Sequence, residues 1–142
     1  MFEQHKQFHF IGIGGAGMSA IASVLLARGY RVSGSDAKES IVTERLRAAG
    51  ATIFIGHDGA NVPENCAIVL STAIRPENPE WQAAKARKLT VFHRSDVMAA
   101  IVNERSGIAV AGAHGKTTTT AMLAAVFLHA QQEPTVLIGG DV

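Results

Sequence analysis

The sequence predicts an α/β protein: a parallel sheet with helices on both faces. Three observations carry this. Short apolar runs alternate with stretches of helical periodicity along the chain, joined by short loops, which is the pattern of β-α-β units. Two of the apolar runs end in glycine-rich turns that open helices, Gly12-Ile13-Gly14-Gly15-Ala16-Gly17 and Gly112-Ala113-His114-Gly115-Lys116-Thr117. The 142 residues are 47% hydrophobic and 18% charged, enough apolar material for one good core in a soluble domain.

In chain order, strands are expected at His9–Ile13, Arg31–Gly34, Thr52–Ile55, Ala67–Ser71, Thr90–Phe92, Ile108–Ala111 and Thr135–Ile138. Helices are expected at Met18–Arg28, Val42–Ala49, Pro79–Arg87, Ser95–Asn103 and Lys116–Ala130. Ile21, Val24, Leu25 and Arg28 fall on a helical repeat, and Gly29 follows as a stop. Asn78-Pro79-Glu80 reads as an N-cap, a first-turn proline and an acid near the positive helix end. Ser95-Asp96 opens the fourth helix in a similar way. Crossovers between parallel strands are expected to be right-handed. The polar stretch Val102–Gly107 is the softest boundary, dividing a first domain, residues 1–105, from the start of a second, residues 106–142.

Composition narrows the partners. A formal net charge of +1 gives no argument for nucleic acid or for an anionic membrane. Phe8 to Ala27 is largely apolar and about as long as a membrane span. Its glycine pattern and strand-to-helix rhythm, with no basic segment before it, instead predict a buried strand and a packed helix. Cys66 is the one cysteine, so no internal disulfide forms, which suits a reducing cytoplasm. It precedes an apolar run and reads as a small core residue.

The two turns carry the chemistry. Gly112–Thr117 follows an apolar run and opens a helix with Lys-Thr. Free N–H groups at a helix start attract anions, and glycines let the backbone wrap a phosphate. Lys116 would place a point charge on the β/γ-phosphates of ATP, and the Thr117 hydroxyl would reach Mg²⁺. Val110 stands where the usual P-loop has its first glycine, so this is a shortened form, Gly-x-x-Gly-Lys-Thr. The first turn matches Gly-x-Gly-x-x-Gly between strand and helix. Asp36 ends the next strand at the spacing where an acid meets a ribose hydroxyl. That geometry suits the diphosphate of NAD, of FAD or of a nucleotide sugar. With a second nucleotide site in the same chain, ATP and a nucleotide-linked substrate together point to a ligase or a kinase acting on an activated sugar. An NAD-binding oxidoreductase or regulatory domain, and a non-enzymatic nucleotide-binding module, are the other readings of the same motifs.

Several segments together resemble the Mur ligase family of bacterial cell-wall synthesis. They are His9–Ser19, Val32–Asp36, Ile55-Gly56-His57, Ser71-Thr72-Ala73-Ile74, Asn78-Pro79-Glu80 and Gly112–Thr119, spread over nearly the whole chain. The resemblance implies a Rossmann-like domain for the UDP-sugar, then the opening of a central P-loop ATPase domain. His114 resembles the branch that adds L-alanine to UDP-N-acetylmuramate, and its muropeptide-recycling relative, where later ligases usually carry asparagine. The dense Gly14-Gly15-Ala16-Gly17-Met18 favours the alanine-adding branch. Ala113 departs from the family's usual threonine, which removes a hydroxyl and implies weaker ATP binding.

The implied reaction is ATP-dependent amide formation through an acyl phosphate, with UDP-N-acetylmuramate and L-alanine as partners. The resemblance assigns Gly112, Ala113, His114, Gly115, Lys116, Thr117 and Thr118 to ATP, Lys116 to catalysis and Thr117 to Mg²⁺. It assigns Gly14, Gly15, Ala16, Gly17, Met18, Ser35, Asp36, His57, Ser71, Thr72 and Ala73 to the UDP-sugar, with His57 toward the uridine end. It also places the acidic metal ligand, any general base and the alanine site beyond Val142, so this chain alone is expected to be inactive. Arg75, His93 and Arg94 lie at the ligand edge without an assigned role. Trp81 reads as packing, and Thr118 to Thr120 as local hydrogen bonding at the helix start.

Overall fold

The computed structural model describes residues 2–138. Five parallel strands form one sheet in the order β3-β2-β1-β4-β5: β1 Gln7–Ile11, β2 Arg31–Asp36, β3 Thr52–Ile55, β4 Ala67–Leu70 and β5 Val91–His93. The helices are α1 Ala16–Ala27, α2 Ile41–Ala48, α3 Pro79–Ala86, α4 Arg94–Asn103 and α5 Lys116–His129. The chain runs outward from β1 to β3, then returns past β1 to start β4. The order reverses between β1 and β4, and the carboxyl ends of these strands flank the crevice where ligands bind in such sheets.

The period of two along each strand assigns side chains to faces. Phe8, Phe10, Ala67 and Val69 pack with Met18, Ile21 and Leu25 of α1, Leu46 of α2, and Val97 and Ile101 of α4. Ile11, Ile68 and Leu70 face the other way, against Ala84 of α3 with Val62 and Cys66. Layers on both faces explain why β4 is apolar on each side and why β1 is buried on each side, with His9 as its buried polar residue. Phe8 and Phe10 are fully buried, each worth about 1.5–3 kcal/mol of apolar transfer. The apolar stretch from Phe8 to Ala27 is thus β1, a turn and α1, and among the described residues no helix is long and apolar enough to cross a membrane.

Gly34 is required by close approach. A methyl there would sit 2.7 Å from both Ile13 Cδ1 and the Phe10 carbonyl oxygen. Gly34→Ala is therefore expected to destabilise the fold by about 1–3 kcal/mol through overpacking, measured as a lower urea midpoint at unchanged slope.

Three expectations change. α4 begins at Arg94, because the His93 ring, not Ser95, caps it. His93 Nδ1 accepts from the Ser95 N–H, and the Asp96 carboxylate accepts from the His93 N–H at 3.2 Å. The strands expected at Ile108–Ala111 and Thr135–Ile138 are not formed. A strand exists only through a ladder partner, and neither segment has one among the described residues. Leu137 packs against the first core instead, and Thr135, Val136 and Ile138 lie beside Ala20, Ser23, Val24 and Ala27 of α1. α5 forms as expected, but Met122, Val126 and Leu128 stand exposed.

Candidate functional site

The turn between β1 and α1 is built from the backbone outward. Gly12 has φ +81°, and Gly12 and Ile13 both donate to the Ser35 carbonyl at 2.8 and 2.9 Å, stapling the turn to β2. Gly14 donates to Asp36 Oδ2 at 2.8 Å. A methyl on Gly14 would lie 2.8 Å from that carboxylate oxygen, so a side chain there would have to displace Asp36 from the turn. The first backbone bond of α1 runs from Ser19 to Gly15. The N–H groups of Ala16, Gly17 and Met18 accordingly have no acceptor among the described residues, and no side chain caps the helix. These donors, with the positive helix end, form an anion cradle at the crevice.

Asp36 therefore has two functions at once. Oδ2 holds the turn, while Oδ1 lies 3.4 Å from the Lys38 N–H at the carboxyl edge of β2. Met18 is different: its side chain is buried in the core, so only its N–H faces the cradle. Sequence reasoning left Arg94 without a role. Its guanidinium lies where a Gly17 side chain would be, at the start of both α1 and α4. Two helix N-termini and a cation, all positive, favour a bound anion.

The second part of the edge lies between the loops after β3 and β4. A cavity of about 500 Å³ is lined by His57, Ala73, Ile74, Arg75, Glu77 and Asn78. Ile74 also reaches across to the first turn, 3.3 Å from a methyl built on Gly12. The structure thus brings His57 and Ala73 to one cavity, with the Ser71–Ile74 turn next to the glycine turn.

Beneath His57 lies a buried polar cluster. Glu80, in the first turn of α3, is fully buried, as are His9 of β1 and Ser35 of β2. Glu80 Oε2 accepts from Ser35 Oγ at 2.5 Å and pairs with His9 Nε2 at 3.4 Å. Oε1 accepts from Asn61 Nδ2 at 2.8 Å. His9 Nδ1 bonds Ser33 Oγ at 2.9 Å, and His57 Nδ1 bonds Ser35 Oγ at 2.8 Å. Burial works against the Glu80 charge, but hydrogen bonds from His9, Ser35 and Asn61, with the attraction of the His9 ring, outweigh it and lower its pKa. Ser35, expected at the UDP-sugar, is a buried partner of Glu80 and His57. Glu80 itself was legible only as a capping acid. The signal was His9, Ser33 and Ser35, polar residues at period two on adjacent apolar strands, which mark a polar patch on one face.

The Gly112–Thr117 turn opens α5. Gly115 caps the helix in the left-handed region, φ +78°, with no side-chain cap, and the first helical bond runs from Thr119 to Gly115. The N–H groups of Lys116, Thr117 and Thr118 are left as donors among the described residues. Lys116 Nζ donates to the Gly112 carbonyl at 2.6 Å and leans on that of Ala113 at 3.4 Å, so the ammonium is held inside the turn. Thr120 Oγ1 donates back to the Lys116 carbonyl. An αL glycine, three open amides and an inward lysine fit a phosphate chain. Among the described residues no three His, Cys, Asp or Glu side chains cluster in a way that could hold a metal ion.

Cys66 is buried against Pro63, and burial pushes its thiol up to about 11 despite Arg87, so it is an inert core residue. Trp81 packs in the second core with the Lys85 ammonium over its ring.

A family model described as "Mur ligase family, catalytic domain" matches residues 7–106. The chain belongs to the Mur ligase family. It is 51% identical over 138 residues to a UDP-N-acetylmuramate–L-alanine ligase of Aquifex aeolicus (strain VF5), covering 97% of this chain and 30% of that one. It superposes on the solved UDP-N-acetylmuramate–alanine ligase of Thermotoga maritima with TM-score 0.91 and 36% identity, over 97% of this chain and 33% of that one. The murein peptide ligase of Psychrobacter arcticus gives TM-score 0.82 and 32% identity, over 89% and 27%. The chain thus spans about a third of these Mur ligases, the part that holds the parallel sheet and both glycine turns.

Proposed function

We propose that this Mur ligase chain is the UDP-sugar-binding and early ATP-binding part of an enzyme that joins L-alanine to UDP-N-acetylmuramate. Residues 1–105 bind the sugar nucleotide, and residues 106–142 begin the ATP domain. The observation that carries the reading is the open amide cradle at Ala16–Met18, tied to Asp36 and beside the His57 cavity, in a chain about half identical to alanine-adding ligases.

The diphosphate lies on the amides of Ala16, Gly17 and Met18, with Arg94 as its counter-charge. Asp36 accepts from the ribose. The sugar nucleotide then follows the edge past Ser71, Thr72 and Ala73, with His57 at the uridine end. On the second turn, the amides at Lys116–Thr118 and the Lys116 ammonium hold the phosphates, and Thr117 supplies one Mg²⁺ ligand. ATP supplies the phosphoryl group that turns the muramate carboxylate, a poor electrophile, into one with a leaving group. This chain's own contribution is to position substrates and to neutralise phosphoryl charge.

Asp36 gives the direct test. Asp36→Ala is expected to weaken UDP-N-acetylmuramate binding by about 1–3 kcal/mol, as a charged hydrogen bond is lost and the glycine turn is released. Asp36→Asn, whose amide oxygen can still accept from the Gly14 N–H, should recover part of that loss. Titration calorimetry on the two variants separates the contributions, and an unchanged dissociation constant for Asp36→Ala removes Asp36 from the site. Tight NAD binding without UDP-sugar binding would favour a dinucleotide-dependent protein.

A further inference from the structure

The buried cluster beneath His57 has a proton inventory that dictates how His57 faces the cavity. Ser35 has one hydroxyl hydrogen. Its oxygen lies 2.5 Å from Glu80 Oε2, and two oxygens that close need a proton between them. Glu80 is an acceptor at both oxygens: Oε1 already takes the Asn61 amide and lies near the Asp58 N–H. The Ser35 hydrogen therefore belongs to Glu80, and the Ser35 oxygen has only lone pairs left for His57. At 2.8 Å, His57 Nδ1 must then be the donor. In a neutral imidazole a proton on Nδ1 leaves Nε2 bare. His57 lines the cavity, its side chain about a quarter exposed, and Nε2 has no protein partner among the described residues.

We propose that Ser35, anchored by Glu80, fixes His57 as the Nδ1–H tautomer, so that bare Nε2 selects a base with a ring N–H donor, the imide edge of uracil, over cytosine. This rests on the sugar-nucleotide reading above. Cytosine presents a lone pair at the equivalent ring nitrogen, so acceptor would meet acceptor. Glu80 and Ser35 are positioning residues here: neither touches the ligand, and both act through the His57 ring. The arrangement also gives a role to the buried Glu80 carboxylate, where an aliphatic side chain would avoid the cost of desolvating a charge.

The test has two readouts on the 142-residue chain. The first is the ¹⁵N spectrum of His57 in its neutral form without ligand, in which the bare ring nitrogen resonates far from the N–H nitrogen. It should show the Nδ1–H tautomer, and Ser35→Ala should convert it to a mixture. The second is competition of UDP and CDP against UDP-N-acetylmuramate. UDP should be preferred by at least about tenfold, the worth of one hydrogen bond and its mismatch, and Ser35→Ala should reduce this to about threefold or less. Asn61→Ala, which also takes a donor from Glu80 but leaves Ser35 and His57 in place, should lower stability and keep the preference. An Nε2–H tautomer in the parent chain, equal binding of UDP and CDP, or a full preference in Ser35→Ala each overturns the proposal. If UDP-N-acetylmuramate itself does not bind, the sugar-nucleotide reading falls, and base selection with it, whatever tautomer the spectrum shows.

Discussion

Alanine in place of Lys116 is expected to lower turnover of the whole ligase by about 10²–10³-fold while UDP-N-acetylmuramate affinity stays unchanged. The physical basis is the place of the ammonium. It is held by the Gly112 and Ala113 carbonyls inside the turn, beside the open amides of Lys116–Thr118. Charge that develops on a transferring phosphoryl group would draw it from those carbonyls onto phosphate oxygen. The UDP-sugar cradle belongs to a different turn, on α1, so its affinity is insulated from the change. Lys116→Arg should rescue poorly, since a planar guanidinium replaces a compact point charge that two turn carbonyls hold. Steady-state turnover measured beside sugar-nucleotide binding decides the matter. Near-normal turnover in Lys116→Ala would return Gly112–Thr117 to the status of an ordinary helix start.

The largest stability effect is expected at Glu80. Glu80→Ala removes the common acceptor of Ser35, His9 and Asn61, the first two on the paired strands β2 and β1, which cannot move apart without opening the sheet. The cost is expected at about 3–5 kcal/mol, the range for breaking a buried, hydrogen-bonded charged group. The pH dependence has a definite sign. The carboxyl is held below its ordinary 4.5 in the folded chain, so the unfolded chain binds the proton more readily. Its contribution is fully present above about pH 4.5 and is lost as pH falls through the lower folded value. Glu80→Gln keeps the shape but cannot ionise, so its urea midpoint should be lower at neutral pH and flatter toward acid. A variant with the parent's acid dependence would assign that dependence to other carboxyls.

These two residues mark the limits of what is legible in a sequence. The turn that holds Lys116 was legible as a helix start because its signal is local: glycine, lysine and the first helical residues lie next to one another. The first turn with Asp36 was legible for the same reason, because one β-α-β unit sets its spacing. Five strands, their parallel sense and the helices on both faces followed from periodicity, which records how each element is buried on its own.

What the tertiary structure alone decided were the relations between distant segments. His9, Ser35, His57, Asn61 and Glu80 come from four separate stretches, and only the strand order β3-β2-β1 with α3 on one face brings them together. Whether Glu80 is a solvated capping acid or a buried anchor depends on what lies beneath α3, and no local pattern carries that. The strands expected at Ile108–Ala111 and Thr135–Ile138 teach the same lesson in reverse. Their apolar runs record a preference, but a strand is a bond between neighbours. Without a ladder partner among the described residues the preference is not realised. Local preference belongs to the chain, and pairing, burial and the proton on a histidine belong to the fold.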